Sequence, residues 1–304
     1  MHTNILKLIF PQWQGGDIAA WFKDLKPESA AKGYILGSQI LDILTKALNP
    51  NLDKNTATVP VSLDYKVDEN GKRLSEKGII DKEILKTQHK NAMAILEAKK
   101  PQKILVLGGD CAISVAPFTY LASLYKDDLA MIWIDAHPDL GFINDDFYQG
   151  YHAMAVSAIS GDSELKEEFS LPSSISSDKI LLVGLHSNEA KHYAKRRQNL
   201  GISEILGEKF VQNEKTALNE MLTWLQNCKA KKLVIHLDLD VLNPNELYVA
   251  VGNTGILSVA NVLNIINTLD KQSQIVALSI AEHLPKTELK LKALLENLPF
   301  IKKD

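Results

Sequence analysis

Two apolar runs in this chain end abruptly in acids and imidazoles, and that pattern narrows what the chain can fold into. Met131–Asp139 reads MIWIDAHPD and Lys232–Asn243 reads KLVIHLDLDVLN. Stretches such as Leu233, Val234 and Ile235 show no polar alternation, which predicts strands buried on both faces, as a parallel sheet requires. Side chains that follow such a strand lie at the carboxyl edge of the sheet, where open α/β folds place ligands. Asp135, His137 and Asp139 alternate, and so do His236, Asp238 and Asp240. On an extended backbone, residues two apart project to the same side. Two such triplets facing each other gather four aspartates and up to two histidines around one point. That much negative charge in a cleft repels itself unless a cation compensates it, and a divalent metal is the natural one. Asp and His at strand ends also form turns and caps. Two triplets, each directly after an apolar strand, favour a metal centre over that plainer role.

The rest of the chain alternates strand and helix. Strands are expected at Ile5–Phe10, Thr56–Leu63, Lys103–Leu107, Leu129–Ile134, Lys179–Leu185, Ile202–Ile205, the second triplet's run and Gln274–Ile280. Helical spacing marks Glu28–Leu48, Asp81–Lys99 with Asp81 as N-cap, Ser114–Tyr125, His152–Ile159, Asn188–Leu200, Lys215–Lys229, Ser258–Leu269 and Lys286–Glu296. Asp64–Gly78 reads as an exposed loop, and a longer loop covers Leu140–Gly150. Such alternation implies an α/β fold, a mainly parallel sheet with helices on both faces. Without a repeat or a linker, residues 1–304 read as one domain.

Composition excludes several classes. A net charge of −3 carries no basic excess, which argues against nucleic acid as a partner. No apolar run reaches the length of a membrane span, and the stretch before Pro11 is too short for a signal segment. Cys111 and Cys228 are the only cysteines, which fits a reducing compartment, so a cytoplasmic protein is expected.

Three segments line up along the chain: Gly108-Gly109-Asp110-Cys111, Asp135-Ala136-His137-Pro138-Asp139, and Asp238-Leu239-Asp240-Val241-Leu242-Asn243-Pro244. Together they resemble the ureohydrolase (arginase/agmatinase) family, whose segments read Gly-Gly-Asp-His, Asp-Ala-His-x-Asp and Asp-x-Asp-x-x-Asp-Pro. Ser279-Ile280-Ala281-Glu282 resembles the late strand that carries a substrate-contacting Glu, and His152 follows Asp139 where arginases have a His near the reaction centre. The resemblance runs from about Leu105 to Pro285. It implies a three-layer α/β/α sandwich and usually two Mn²⁺ ions. By motif, Asp135 and Asp238 bridge the ions, His137 and Asp240 complete one site, and Asp139 and Cys111 belong to the other. The implied reaction is hydrolysis of a linear guanidino or amidine C–N bond by metal-activated hydroxide. Glu282 attracts the small cationic substrate and His152 moves a proton. A homo-oligomer is also implied.

The departures matter as much. Cys111 stands where the family carries a ligand His. A thiolate there shifts preference toward Zn²⁺ or Fe²⁺, whereas a neutral thiol leaves the site weak or empty. Weak ligation or none is the expectation, which keeps open a non-catalytic or mono-metal protein with a binding role. Asn243 replaces the Asp before Pro244 and is expected to form a turn. The loop at Gly141–Gly150 lacks the arginine-specific Asn and Ser. Phe142, Phe147 and Tyr148 make it apolar and Asp145 and Asp146 acidic, which suggests a cationic or aromatic substrate tail. His186 and His192 are expected at a sheet edge or on the surface, His2 and His89 on the surface, and His283 is open. His236 could face the same side as Asp238, but the family does not use that position as a ligand. Lys191, Lys195, Arg196 and Arg197 read as a solvated helix face.

Overall fold

The apolar runs become strands wherever both of their faces can be covered by helices. The computed structural model describes residues 5–17, 27–143, 145–188, 190–249, 252 and 254–301, those at 27–31 by backbone alone. Its strands are β1 (Ile5–Phe10), β2 (Thr56–Thr58), β3 (Ser75–Glu76), β4 (Ile79–Ile80), β5 (Lys103–Gly108), β6 (Leu129–Ile134), β7 (Ile180–Val183), β8 (Ser203–Ile205), β9 (Lys232–Asp238) and β10 (Gln274–Ala281). Its helices are α1 (Pro27–Leu48), α2 (Lys82–Lys99), α3 (Val115–Tyr125), α4 (Ala155–Ser160), α5 (Ser163–Phe169), α6 (Lys191–Leu200), α7 (Gly207–Cys228), α8 (Val259–Asp270) and α9 (Lys286–Leu295).

Eight strands form one sheet in the order β2-β1-β5-β10-β9-β6-β7-β8, and each neighbouring pair is parallel. Period-two alternation divides its side chains between two cores. Leu6, Val106, Met131, Trp133, Leu182 and Val234 face Leu85, Leu96, Phe118, Val156 and Phe169 of α2 to α5. Ala130, Ile132, Ile134, Leu181, Leu233 and Ile235 face Phe210, Met221, Ile265 and Leu269 of α7 and α8. This is the three-layer α/β/α sandwich expected from the sequence, with a parallel central sheet. Lys7, fully buried on β1, is accommodated by ion pairs with Asp42 and Asp53.

Several local expectations change. The Thr56–Leu63 strand is only Thr56–Thr58, because β2 is an edge strand whose pairing with β1 ends at Thr58. The polar segment Asp64–Gly78 is not simply exposed, since it contains β3, which pairs with β4, and buried Arg73. Asp81 stands at the N-cap of α2 as expected, but its side chain makes no capping bond. Its backbone is left-handed (φ 49°), and its carboxylate accepts from Lys66 N (2.8 Å) and pairs with Arg73 instead. Helix α7 starts earlier than expected, with a non-helical residue at Asn213, and α5 carries no signal read at the outset. Arg196 and Arg197 are not a solvated face. Arg197 is 7% exposed and pairs with Glu204 at 2.8 Å, while Arg196 turns toward the loop after β6. His2 lies outside the described residues.

His89 was expected on the surface, but it is 5% exposed between α2 and α5, its ring edge-on to Phe169. Nε2 has no partner, and burial pushes the imidazole down to about 4. The unfolded chain therefore binds the proton that the folded chain refuses, and stability is lost as pH falls from about 6.5 toward 4. Chemical denaturation of the parent and His89→Gln across this window should show a flatter acid slope in the variant. The difference should be on the order of 3 kcal/mol at its largest, and parallel curves would contradict it.

Candidate metal centre

Sheet order brings together four strand ends that are distant in sequence. β10 and β9 lie between β5 and β6, so the segments after β5, β10, β9 and β6 meet in one cleft. In register, Trp133 pairs with His236, Ser279 with His236, and Ala281 with Asp238. Gly109 allows the β5 end to press against the loop after β1, since a Cβ there would stand 1.8 Å from Gln12 O. Beyond it, Asp110 is a buried N-cap that accepts from Ala112 N (3.0 Å), Gln12 Nε2 (3.0 Å) and Gly15 N (2.9 Å). That cap fixes Cys111, 2% exposed, at the cleft floor.

The floor is a set of buried acids. Asp135 accepts from Trp133 Nε1 (2.9 Å) and from His137 N (2.6 Å). Asp238 accepts from Asp240 N (2.7 Å), and the Cys111 thiol donates to it at 3.0 Å. His137 Nδ1 lies 2.9 Å from Asp240 and 3.6 Å from Asp135. Among the described residues, no lysine or arginine joins these groups. Burial raises Asp135, Asp139 and Asp238 above the ordinary carboxylate value, and the neighbouring carboxylates push each further. Burial also raises the Cys111 thiol, and Asp238 and Asp139 add to the effect. For His137, burial works downward, but Asp240 and Asp135 outweigh it and hold the imidazole well above its usual value.

These donors fit a divalent cation. A carboxylate oxygen each of Asp135 and Asp240 and a ring nitrogen of His137 lie within 4.8 Å of one another. So do donor atoms of Cys111, Asp135, His236 and Asp238. Asp139 Oδ2, Asp240 Oδ1 and His236 Nε2 are buried without a hydrogen-bond partner, so the two carboxylate oxygens have lone pairs to offer an ion. Asp139 is 5% exposed and holds a left-handed backbone (φ 47°), an uncommon state for a non-glycine residue.

Above the floor is a cavity of about 400 Å³, lined by Cys111, His137, Asp139, His152, Asp238, Asp240 and Glu282 and closed outward by Phe147, Tyr148, His192 and Tyr193. Every candidate site residue read from the sequence lines it except Asp135, which is fully buried. Glu282, 2% exposed with φ 63°, accepts from the Tyr34 hydroxyl and lies 3.7 Å from both His152 Nδ1 and Cys111 Sγ. Tyr148 OH contacts His152 Nε2 at 2.7 Å. Burial works to lower His152, but Glu282 and Asp110 hold it above the ordinary imidazole value.

Sequence reasoning missed Tyr34 and the polar role of Tyr148, because neither lies near a motif. It also misjudged Asp145, which is not free for a cationic substrate: Arg196 grips it at 2.8 Å through both guanidinium nitrogens, and Phe142 N donates to it. Asp146 is exposed outside the cavity wall. His186 and His192 do line the cavity. Half-buried His283 lies at another place, where its carbonyl packs on Gly37 of α1. Asn243 forms the expected turn, accepting from Asn245 N at 3.0 Å.

The arginase-family model matches residues 38–294. Arginase 2 of Arabidopsis thaliana is 25% identical over 224 residues, which is 71% of this chain and 57% of that protein. Across the curated relatives it matches, the chain aligns with between 22% and 57% of their length. Entamoeba histolytica arginase, solved in complex with L-ornithine, superposes with a TM-score of 0.71 at 17% identity, covering 97% of each chain. Bacillus subtilis formimidoylglutamase superposes with a TM-score of 0.61 at 17% identity, covering 92% of this chain and 79% of that one.

The raised acids give the metal-stripped protein a distinct pH response. Their folded pKa values lie above the unfolded ones, so the folded state holds more protons, and through these groups stability falls as pH rises above about 4. A bound divalent cation would take the place of those protons. The Tm gap between Mn²⁺-loaded and chelator-treated protein should therefore widen from about pH 5 to pH 8. Asp238→Asn should raise the Tm of the stripped protein and shrink the gap. A gap independent of both pH and the substitution would contradict this account.

Proposed function

Because this chain belongs to the arginase family, its family model covering residues 38–294, we propose that it is a metal-dependent hydrolase of a C–N bond in a linear guanidino or amidine compound. The observation that carries the reading is the floor of buried, cation-free acids beneath a cavity of about 400 Å³. The ligands we assign are Asp135, His137, Asp238 and Asp240, with Asp139 and Cys111 on the other side. Hard oxygens with one imidazole suit Mn²⁺ at the Asp135, His137 and Asp240 set. Ions held here would polarise the substrate and lower the pKa of water enough for attack at neutral pH.

The chain's own residues supply the rest. Glu282 is fixed by Tyr34 and directs its other oxygen toward His152 and Cys111, where it can accept N–H bonds from a planar cationic head. His152, held between Glu282 and Tyr148 with its imidazole raised above the ordinary value by Glu282 and Asp110, is placed to deliver a proton to the leaving amine. Phe147, Tyr193 and His192 form an aromatic outer wall, and with Asp145 committed to Arg196 that wall suits a flat or apolar tail better than a second cation. Arginine and agmatine, whose tails carry an ammonium, are disfavoured on that ground, and guanidino-acid and formimidoyl compounds are the classes to try first, with agmatine as the contrast. A non-catalytic binding role is the weaker reading, since it gives the His152–Glu282 pair no task. Free Cys111 and Cys228 accord with a cytoplasmic setting. Exposed Leu291, Leu294 and Ile301 offer apolar surface for a homo-oligomer.

A panel of guanidines and amidines with Mn²⁺, Zn²⁺ and Fe²⁺ tests the proposal, with release of urea or a small amide as the readout. Asp135→Asn and Asp238→Asn should abolish metal-dependent turnover while circular dichroism stays native. His152→Asn should lower kcat roughly 10²- to 10⁴-fold with the bound-ion content unchanged. Undiminished turnover in either aspartate variant would remove the ligand assignment, and undiminished kcat in the histidine variant would remove the proton-transfer role.

A further inference from the structure

His236 is a buried imidazole that the proposed reaction does not use. It is fully buried on β9, its ring stacked on Trp133 with centroids 3.6 Å apart and planes 11° from parallel. Nδ1 faces two hydroxyls, Ser114 Oγ at 2.8 Å and Ser279 Oγ at 3.0 Å, which are themselves 2.7 Å apart. Nε2 is buried with no partner. Two residues further along the strand is Asp238, and a ring nitrogen of His236 lies within 4.8 Å of donor atoms of Cys111, Asp135 and Asp238. An imidazole hydrogen-bonded at Nδ1, with Nε2 left unpartnered and a ring nitrogen this close to acids, has the arrangement a metal-ligating histidine uses.

We propose that His236 joins Cys111, Asp139 and the shared Asp135 and Asp238 at the second ion position, which gives that position mixed nitrogen, sulfur and oxygen character. This inference rests on the site being a metal centre, and not on the reaction it performs. The serine pair accommodates the tautomer that ligation requires: with Nδ1–H donating to a hydroxyl, the Nε2 lone pair is available to ligate. The thiol proton, which Cys111 now directs at Asp238 Oδ2 (3.0 Å), passes to solvent on binding, and the thiolate ligates in its place. The donor set departs from the expectation of weak ligation at Cys111. One thiolate and one imidazole make this position softer than the Asp135, His137 and Asp240 position, so it prefers Zn²⁺, Co²⁺ or Fe²⁺ while its neighbour accepts Mn²⁺. The two ions are then unlike.

Cobalt(II) is the probe, because a thiolate on Co²⁺ gives a sulfur-to-metal charge-transfer band that oxygen and nitrogen donors do not. Full-length protein is stripped with chelator and titrated with Co²⁺, with binding followed by absorption and by ion counting. The parent should develop the sulfur band, and Cys111→Ser should lose it while still binding at the other position. His236→Phe keeps a ring on Trp133 but has no donor nitrogen, and His236→Ser relieves crowding if the phenyl ring is not tolerated. Each should shift the band and weaken its ion at least tenfold, with circular dichroism unchanged. Asp240→Asn should remove the other ion and leave the sulfur band in place. A band with unchanged position and affinity in both His236 variants would overturn the assignment of His236. Ion binding by the parent without a sulfur band would overturn the mixed position and leave the metal centre standing, and failure to bind any ion would remove both.

Discussion

The constraint on which this structure depends is negative charge buried at the carboxyl edge of a parallel sheet. Asp135, Asp139, Asp238, Asp240 and Glu282 are all at most 5% exposed, and no lysine or arginine among the described residues offsets them. Placing several carboxylates in a low-dielectric pocket is strongly unfavourable unless they are protonated or bound to cations. The surrounding architecture holds this arrangement in place. Strands buried on both faces fix the backbone, and the acids' own short turns use some of their oxygens, leaving others directed at the cavity. Both oxygens of Asp135 and of Asp238 are hydrogen-bonded, while Asp139 Oδ2 and Asp240 Oδ1 are buried without a partner.

Strain accompanies that placement. Asp139 and Glu282 both have left-handed backbones, a conformation costing roughly 1–3 kcal/mol for a non-glycine residue. Each follows the end of a central strand, where the chain has to turn sharply while still projecting an acid inward. Glu282 N is held by Gly109 O at 2.9 Å, and Val156 N donates to Asp139 O at 3.0 Å, so the end of β5 in one case and α4 in the other maintain the two conformations. The other wall of the cavity is held by Arg196, which fixes the loop after β6 through Asp145 and lies over the Phe142 ring at 3.8 Å. Buried acids on one side and an anchored aromatic loop on the other are the two walls of the cavity.

Most of the sheet was legible because buried strands announce themselves locally. Ile5–Phe10, Leu129–Ile134 and the run before Asp238 needed only composition and alternation, and the observed boundaries agree within a residue or two. Edge strand β2 was overextended because its sequence does not say where a partner stops. Asp81 was misread because a helix-start residue that caps and one that pairs with a distant arginine look alike until Arg73 is folded beside it. His89 and Arg197 were taken for surface residues because burial of a polar side chain depends on what packs over it.

The sequence by itself determined which residues project together from one strand, because side-chain direction along an extended backbone is a local, period-two property. That sufficed to put His236 on the same side as Asp238 within β9, whereas Asp135 and His137 follow the end of β6 and Asp240 lies in the 3-10 turn after β9, so their convergence is set by those turns. Only the tertiary structure decided that β9 and β10, late in the chain, insert between β5 and β6 and so carry Cys111 and Glu282 to the acids. It also decided that Tyr34 reaches Glu282 across 248 residues of chain, and that serines from two other segments leave one nitrogen of His236 free. Those contacts join residues far apart in sequence, and no local periodicity can encode which distant surfaces will meet.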